Sequence, residues 1–381
     1  MPAQRLPKEK EDRIRLLLKQ NKTHESIAKE VGVSIGTVHN VANSAQLHND
    51  TVEQQLRATI KTQNVKYKEA LNEVKKLEQE LSIYCALNHY AKYFEPVIIK
   101  RKQNNYGEAV AILNLGDWHI DEVVDEDAVN GLNKFDSTIA EQRIMKVWNT
   151  TLSLLEICRT KDKIDSMVVT ILGDLISGWI HEVLMATNEM TPPEAVLKLF
   201  SILTSGLEFL SKESGVKEII VAPVCGNHGR ITHKKYDKIA VKTNYEWLVY
   251  QLLARWFTAR GNKIIRFKLP QGYFNTIIVY DKLIRISHGD NIQYQGGVGG
   301  VNIPIRKAID RWNTAQRANY NILGHWHSYQ IGEDYLINGS IIGYSEYSIR
   351  IKATYQRPMQ SFFIMHPKYG PTAQFPIMLD V

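Results

Sequence analysis

From its amino end the chain runs through three hydrophobic patterns. KEKEDRIRLLLKQN is charged at first and apolar at Ile14, Leu17 and Leu18, and THESIAKEVGVSIGTVHNVANS continues as two segments parted by Gly32-Val33-Ser34. Apolar residues three and four apart share one helix face, so residues 8–44 are predicted to form three short helices with Ile27, Val31, Val38 and Val41 inside. Next, Leu56, Ile60, Gln63, Tyr67, Ala70, Val74, Leu77, Leu81 and Tyr84 alternate spacings of four and three, for about four heptads. A long helix over 49–92 is the expectation. It reads either as a coiled coil that would pair two chains into a homodimer through residues 50–84, or as one helix laid along the following domain, since Gln63 and Ala70 dilute the seam. After a turn near KRKQNNYGEA, short Val-, Ile- and Leu-rich runs alternate with helical stretches, as in an α/β domain. The predicted units are 1–48, 49–92 and 93–381.

Composition changes this picture little. The chain has 381 residues, 44% hydrophobic and 23% charged, ordinary for a soluble globular protein of more than one domain. No apolar run nears the ~18 residues of a membrane span, and MPAQRLPKEKEDRIR lacks a secretory apolar stretch. A cytoplasmic protein without a membrane partner is expected. Cys85, Cys158 and Cys225 are scattered without a CxxC spacing and read as packing residues in a reducing compartment. Charge changes more: residues 1–104 carry 18 Lys and Arg against 12 Asp and Glu, so six of the seven net positive charges lie there. Such asymmetry suggests a polyanionic partner for the front of the chain.

In that front segment Ala28, Gly32 and Val38 have the spacing of a helix-turn-helix: a small residue at the crossing, a glycine in the turn and an apolar residue inside the second helix. Ser34 can cap that helix. The segment resembles the DNA-binding domains of resolvases and many bacterial regulators. The resemblance implies DNA contacts from Ser34, Thr37, His39, Asn40 and Asn43, with Ile35 and Gly36 also outward. Asn and Thr suit base edges and phosphates. No Lys or Arg lies between Ser34 and Asn43, which implies weak or weakly sequence-specific binding. A small helical bundle that binds protein is the other reading.

The chemistry-bearing residues sit behind the apolar runs. AVAILNLGDWHID ends with Asp117 and His119, SMVVTILGDLISG with Asp174, EIIVAPVCGNHGR with Asn227 and His228, KLIRISHGDN with His288, and YNILGHWHSY with His325 and His327. Groups beyond the carboxyl ends of strands in an α/β sheet can converge. Singly, each motif has a structural explanation: Gly-Asp is a turn, and His-x-His shares a strand face. Together and in this order they resemble the calcineurin-like metallophosphoesterases, from about residue 108 to residue 345, and particularly the branch of DNA-repair nucleases.

That resemblance implies a four-layer αββα sandwich and two divalent cations. Asp117, His119 and His327 would hold the first, Asn227, His288 and His325 the second, and Asp174 would bridge them. Cations about 3.5–4 Å apart repel, so a shared carboxylate is needed between them. A mixed nitrogen and oxygen shell without thiolate suits Mn, Fe, Zn or Co, with Mn first by resemblance. A water bridging both cations would become the hydroxide nucleophile. His228 matches the family residue that contacts phosphate and protonates the leaving group. Relatives often pair this His with an acid; here Gly229 and Arg230 follow, which weakens the support for an imidazolium. Arg230 instead offers a bidentate donor for phosphate oxygens.

The combination also resembles phage- or prophage-encoded fusions, which would place the protein in a host cytoplasm. The function it implies is a dinuclear-metal phosphodiesterase, a DNA nuclease recruited by its helix-turn-helix. The alternative is a DNA-binding regulator whose phosphoesterase domain hydrolyses or senses a small cyclic nucleotide.

Overall fold

The computed structural model describes residues 6–44, 57, 60–66, 68, 69, 72, 97–100, 107–294 and 299–380. It falls into two compact units, Met1–Cys85 and Ala86–Val381.

In the first unit the helices are α1 (Lys8–Lys19), α2 (His24–Val31) and α3 (described over 35–44). Ile14, Leu17, Ile27, Ala28, Val38 and Val41 form its core, with Val31 partly buried. Thr23 caps α2 by accepting from Ser26 N at 3.3 Å. Gly32 ends it in the left-handed region at φ +67, a conformation that glycine adopts without Cβ strain. Ser34 Oγ accepts from Thr37 N at 3.1 Å and lies 2.8 Å from Thr37 Oγ1, so both hydroxyls serve the start of α3. His39, Asn40 and Asn43 are exposed. Residues 57, 60–66, 68, 69 and 72 are helical. The rest of the expected spacer, with Cys85 and most of the seam proposed to pair two chains, lies outside the described residues.

The second unit is built on two six-stranded sheets. One contains β2 (Glu108–Leu115), β3 (Lys163–Ile171), β4 (Glu218–Pro223), β5 (Ile265–Phe267), β11 (Met359–His366) and β12 (Gly370–Met378), in the order β12-β11-β2-β3-β4-β5. The other contains β1 (Ile98–Ile99), β6 (Asn275–Val279), β7 (Lys282–Ser287), β8 (Tyr320–Leu323), β9 (Gln330–Ile331) and β10 (Tyr335–Ile337), ordered β1-β6-β7-β8-β10-β9. The longer helices are α4 (Ser137–Arg159), α6 (Pro192–Glu213), α7 (Tyr245–Ala259) and α8 (Asn302–Ala315); α5 (Glu182–Thr187) and α9 (Glu346–Arg350) are short.

Strand alternation stacks these elements in layers. Along β2, Ala109, Ala111, Leu113 and Leu115 join a core with Ile144, Trp148, Leu203 and Leu253 of α4, α6 and α7. The intervening Val110 and Ile112 meet Ile284, Ile286 and Ile322 of the second sheet. On that sheet's far face Leu323, Tyr335 and Ile337 pack with Ile305 and Ile309 of α8. The order is therefore helices, sheet, sheet, helix. Each such fully buried aliphatic side chain stabilises the fold by about 1.5–3 kcal/mol. Among the described residues, no helix is long and apolar enough to cross a membrane. Cys158 is buried in the α4 core, as a packing residue would be.

Register brings the functional loops to one edge. Leu115 lies opposite Ile171 and Ile171 opposite Pro223, so β2, β3 and β4 end level; Ser287 opposite Leu323 does the same for β7 and β8. All five neighbours are parallel within their sheets, and all five release their chain in the same sense.

Candidate metal centre

Each loop leaves its strand through a constrained backbone. Past the ends of β2 and β3 the pairing continues: Asp117 N donates to Gly173 O at 2.9 Å, Trp118 N to Asp174 O at 2.8 Å and Ile120 N to Leu175 O at 3.1 Å. Trp118 is fully buried against Trp148, ring centroids 6.3 Å apart, which turns Asp117 and His119 the other way. Gln360 of β11 pins this turn by accepting from Gly116 N at 2.9 Å and donating to Gly116 O at 3.1 Å. Asp117, His119, Asp174, His325 and His327 all have positive φ, between 49 and 72. Left-handed backbone costs a non-glycine residue about 1–3 kcal/mol, and such strain concentrates at functional sites.

Two groups of ligand-type atoms result, Asp117 with His119 and His327, and Asp174 with His288 and His325, each within 4.8 Å. His119 Nε2 faces His327 Nε2 at 3.2 Å. Asn227 Oδ1 lies 3.2 Å from His288 Nε2, so the amide joins the second group. Asp117, His119, Asp174, Asn227, His288, His325 and His327 are thus brought together, with Asp174 in the second group.

Hydrogen bonds settle which nitrogens can bind. Leu172 O, 2.7 Å from His288 Nδ1, can only accept, so the proton sits on Nδ1. His288 Nε2 then faces Asp174 Oδ2 at 2.9 Å and Asn227 Oδ1 at 3.2 Å. Three acceptors cannot share that space without a proton or a cation. Similarly, Ser177 Oγ donates to Glu122 Oε2 at 2.5 Å, so it accepts from His119 Nδ1 at 2.8 Å. That leaves the lone pair of His119 on Nε2, toward His327.

Electrostatics points the same way. Burial pushes Asp117 well up, while burial and the neighbouring His228 and His327 push His119 well down. His325 and His327 are pushed down by burial to about 3 and about 4. Burial opposes charge on His288, but the touching Asp174 carboxylate outweighs it and raises its pKa to about 10. Among the described residues neither carboxylate pairs with Lys or Arg; their charged-type partners are His327 and His288. Buried carboxylates ringed by imidazoles, most of them held neutral by burial, fit a pair of divalent cations.

His228 stands beside this centre, its ring 4.8 Å from that of His119. Its Nδ1 lies 3.0 Å from Ser177 O, so a neutral backbone carbonyl, rather than a carboxylate, orients the ring. The Arg230 side chain turns toward its own loop, donating from Nη1 to Asn227 O at 2.8 Å and from Nε to Thr232 O at 3.1 Å.

Several supporting residues escaped the motif reading. Asp121 accepts from Ser177 N at 2.6 Å and Gly178 N at 3.0 Å, which fixes the Ser177 loop. Glu246, fully buried on α7, accepts from Leu175 N at 2.6 Å and Gly226 N at 2.7 Å, and burial with the nearby Asp174 charge raises its pKa to about 7. Its signal was present: Glu246, Val249, Tyr250, Leu253, Ala254 and Phe257 share one buried stripe, where a carboxylate is out of place unless a partner waits. Ser177 and Asp121 had no signal beyond lying just after the ligands. Ser177→Ala is expected to weaken Mn binding about 10–100-fold by releasing His119, measured by calorimetric titration, with the fold retained by circular dichroism.

No protein-family model and no curated protein matches the chain. Solved structures similar to it include Vps29 from Cryptosporidium parvum, at 11% identity and TM-score 0.31, covering 71% of this chain and 99% of that one. A single mutant of Vps29 from Entamoeba histolytica gives 12% and 0.28, with 70% and 98% covered. The sulfate thiohydrolase SoxB from Thermus thermophilus, in complex with glycerol, gives 8% and 0.28, with 73% and 58% covered. Likenesses this slight carry no argument, and the functional reading rests on the site.

Proposed function

We propose that the protein is a dinuclear-metal phosphodiesterase of the calcineurin-like type that cleaves DNA. The observation that carries the chemistry is the pair of ligand groups gathered from five strand ends around two buried carboxylates. Asp117, His119 and His327 would hold one cation and Asn227, His288 and His325 the other, with Asp174 shared. Bound there, two divalent cations such as Mn would supply water activation near neutral pH and charge balance for the phosphate oxygens.

The chain's own residues do the rest. Ser177 O fixes His228 through Nδ1, leaving Nε2 to hold a proton and give it to the departing oxygen. Arg230 braces its own loop, donating to the carbonyls of Asn227, Thr232 and His233, and would reach a phosphate oxygen only through its remaining N–H groups. His228→Asn is expected to lower kcat about 10²–10³-fold with Mn affinity kept; full activity would remove His228 from proton transfer.

DNA as substrate is supported by the front unit: three small helices, the basic excess, and His39, Asn40 and Asn43 exposed on α3. Ser34 and Thr37 would contribute through the start of that helix. The test is cleavage of single- and double-stranded DNA by the full chain with Mn, against 3′,5′-cyclic AMP under the same conditions. DNA cleavage that is blocked by a chelator and weakens steeply with added salt supports the reading. Hydrolysis of the cyclic nucleotide with intact DNA would favour a regulator instead.

A further inference from the structure

Beside the centre is a cavity of about 440 Å³ that shares a wall with it: Asn227 lines both. The volume lies in the ~300–1,000 Å³ range of small-ligand pockets. The other walls come from the loops after β4, β5 and β7. Arg230, Lys235 and Lys242 line it against Asp237 and Asp290, a small positive balance, with Lys235 held by an ion pair to Asp290. Tyr236 and Tyr273 give it aromatic surface, and Ile239 an aliphatic one. Tyr273 is anchored because its hydroxyl accepts from Gly289 N at 3.0 Å and Asn291 N at 3.3 Å, while Tyr236 is half exposed.

We infer that this cavity seats one unstacked nucleoside of the substrate strand, the one attached to the phosphate under attack. The inference rests on the phosphodiesterase reading and adds a substrate preference to it. Contact through Asn227 means that a group filling the cavity is joined closely to the reacting phosphate. Aromatic and aliphatic walls suit a base, and cationic ones suit the backbone beside it. A duplex can place one nucleoside in a bounded cavity only after unstacking and unpairing it. Unpaired strands are therefore the preferred substrate.

Gly272 provides the test. It lines the cavity, its φ is ordinary, and a Cβ there would meet nothing within 4 Å, so Gly272→Trp adds an indole at the cavity wall without a clash at Cβ. Tyr236→Ala removes a wall instead. Full-length wild type and both variants are assayed with Mn on a single strand, its duplex, a strand abasic beside the cleaved bond, and bis(p-nitrophenyl) phosphate, which needs the centre but no base pocket. Wild type should prefer the single strand over the duplex, and the intact over the abasic strand, each by about tenfold. Both variants should lose about tenfold in kcat/KM on the intact strand, with no further loss on the abasic one and with bis(p-nitrophenyl) phosphate turnover unchanged. Equal losses on the strand and on bis(p-nitrophenyl) phosphate in both variants, no loss on either, or indifference of wild type to the abasic site would overturn the inference alone. Wild type inactive on every substrate would overturn it together with the phosphodiesterase reading.

Discussion

Asp174→Asn is expected to abolish Mn-dependent phosphodiester hydrolysis, by about three orders of magnitude or more, equivalent to at least about 4 kcal/mol on the barrier. Asp174 is 2% exposed, and its two oxygens do different things. Oδ1 accepts from His228 N at 2.7 Å, and Oδ2 touches His288 Nε2. An amide keeps one acceptor and replaces the other oxygen with a donor. If the NH2 lies toward His228 N, two donors face each other; if it lies toward His288, it occupies the ligand lone pair. Either way the negative charge that would hold two cations together is gone. Calorimetric titration should show loss of tight Mn binding, while circular dichroism stays that of wild type. A variant that binds two Mn ions as wild type does and still turns over would contradict the assigned role.

Gly226→Ala should fail at an earlier stage, by preventing the centre from forming. A Cβ at Gly226 would lie 2.1 Å from Asp174 Oδ1 and 2.2 Å from Asp174 N, inside any van der Waals contact. The opposing Gly173 is equally tight, since its Cβ would lie 2.2 Å from Gly226 N. The loops after β3 and β4 meet backbone to backbone here, so neither can yield by rotating a side chain. Separating them would also break the Glu246 bonds to Leu175 N and Gly226 N and leave a buried carboxylate unsatisfied. A loss of about 4 kcal/mol or more is expected, in the exceptional range for one substitution. Chemical denaturation checks it. A loss below about 1 kcal/mol would show that the loops can part, and that the close approach does not constrain the centre.

Asp174 and Glu246 differ in how visible they were beforehand. Asp174 stands behind an apolar run with a glycine before it, and such a run reads as a strand with a polar end. The runs before Asp117, Asp174, Asn227, His288 and His325 are indeed β2, β3, β4, β7 and β8, because β-branched, doubly buried strands write continuous apolar segments. Glu246 left a weaker signal: a carboxylate in the apolar stripe of a helix says that a partner waits but not what it will bond. The partner of His228, Ser177 O, could not be read, because a backbone carbonyl has no signature in the sequence.

The sequence by itself determined the strand runs, the ligand types behind them and the small apolar core of the front helices, since each depends on local periodicity and residue chemistry. The tertiary structure alone decided how those ends meet. Level register places five loops at one edge, and carbonyls from distant loops fix the imidazole tautomers. Leu172 O does so for His288 across 116 residues, and Ser177 O for His228 across 51. Such contacts arise from strand pairing and close packing rather than from neighbours in the chain, so only the folded molecule could orient these rings and open the cavity beside Asn227.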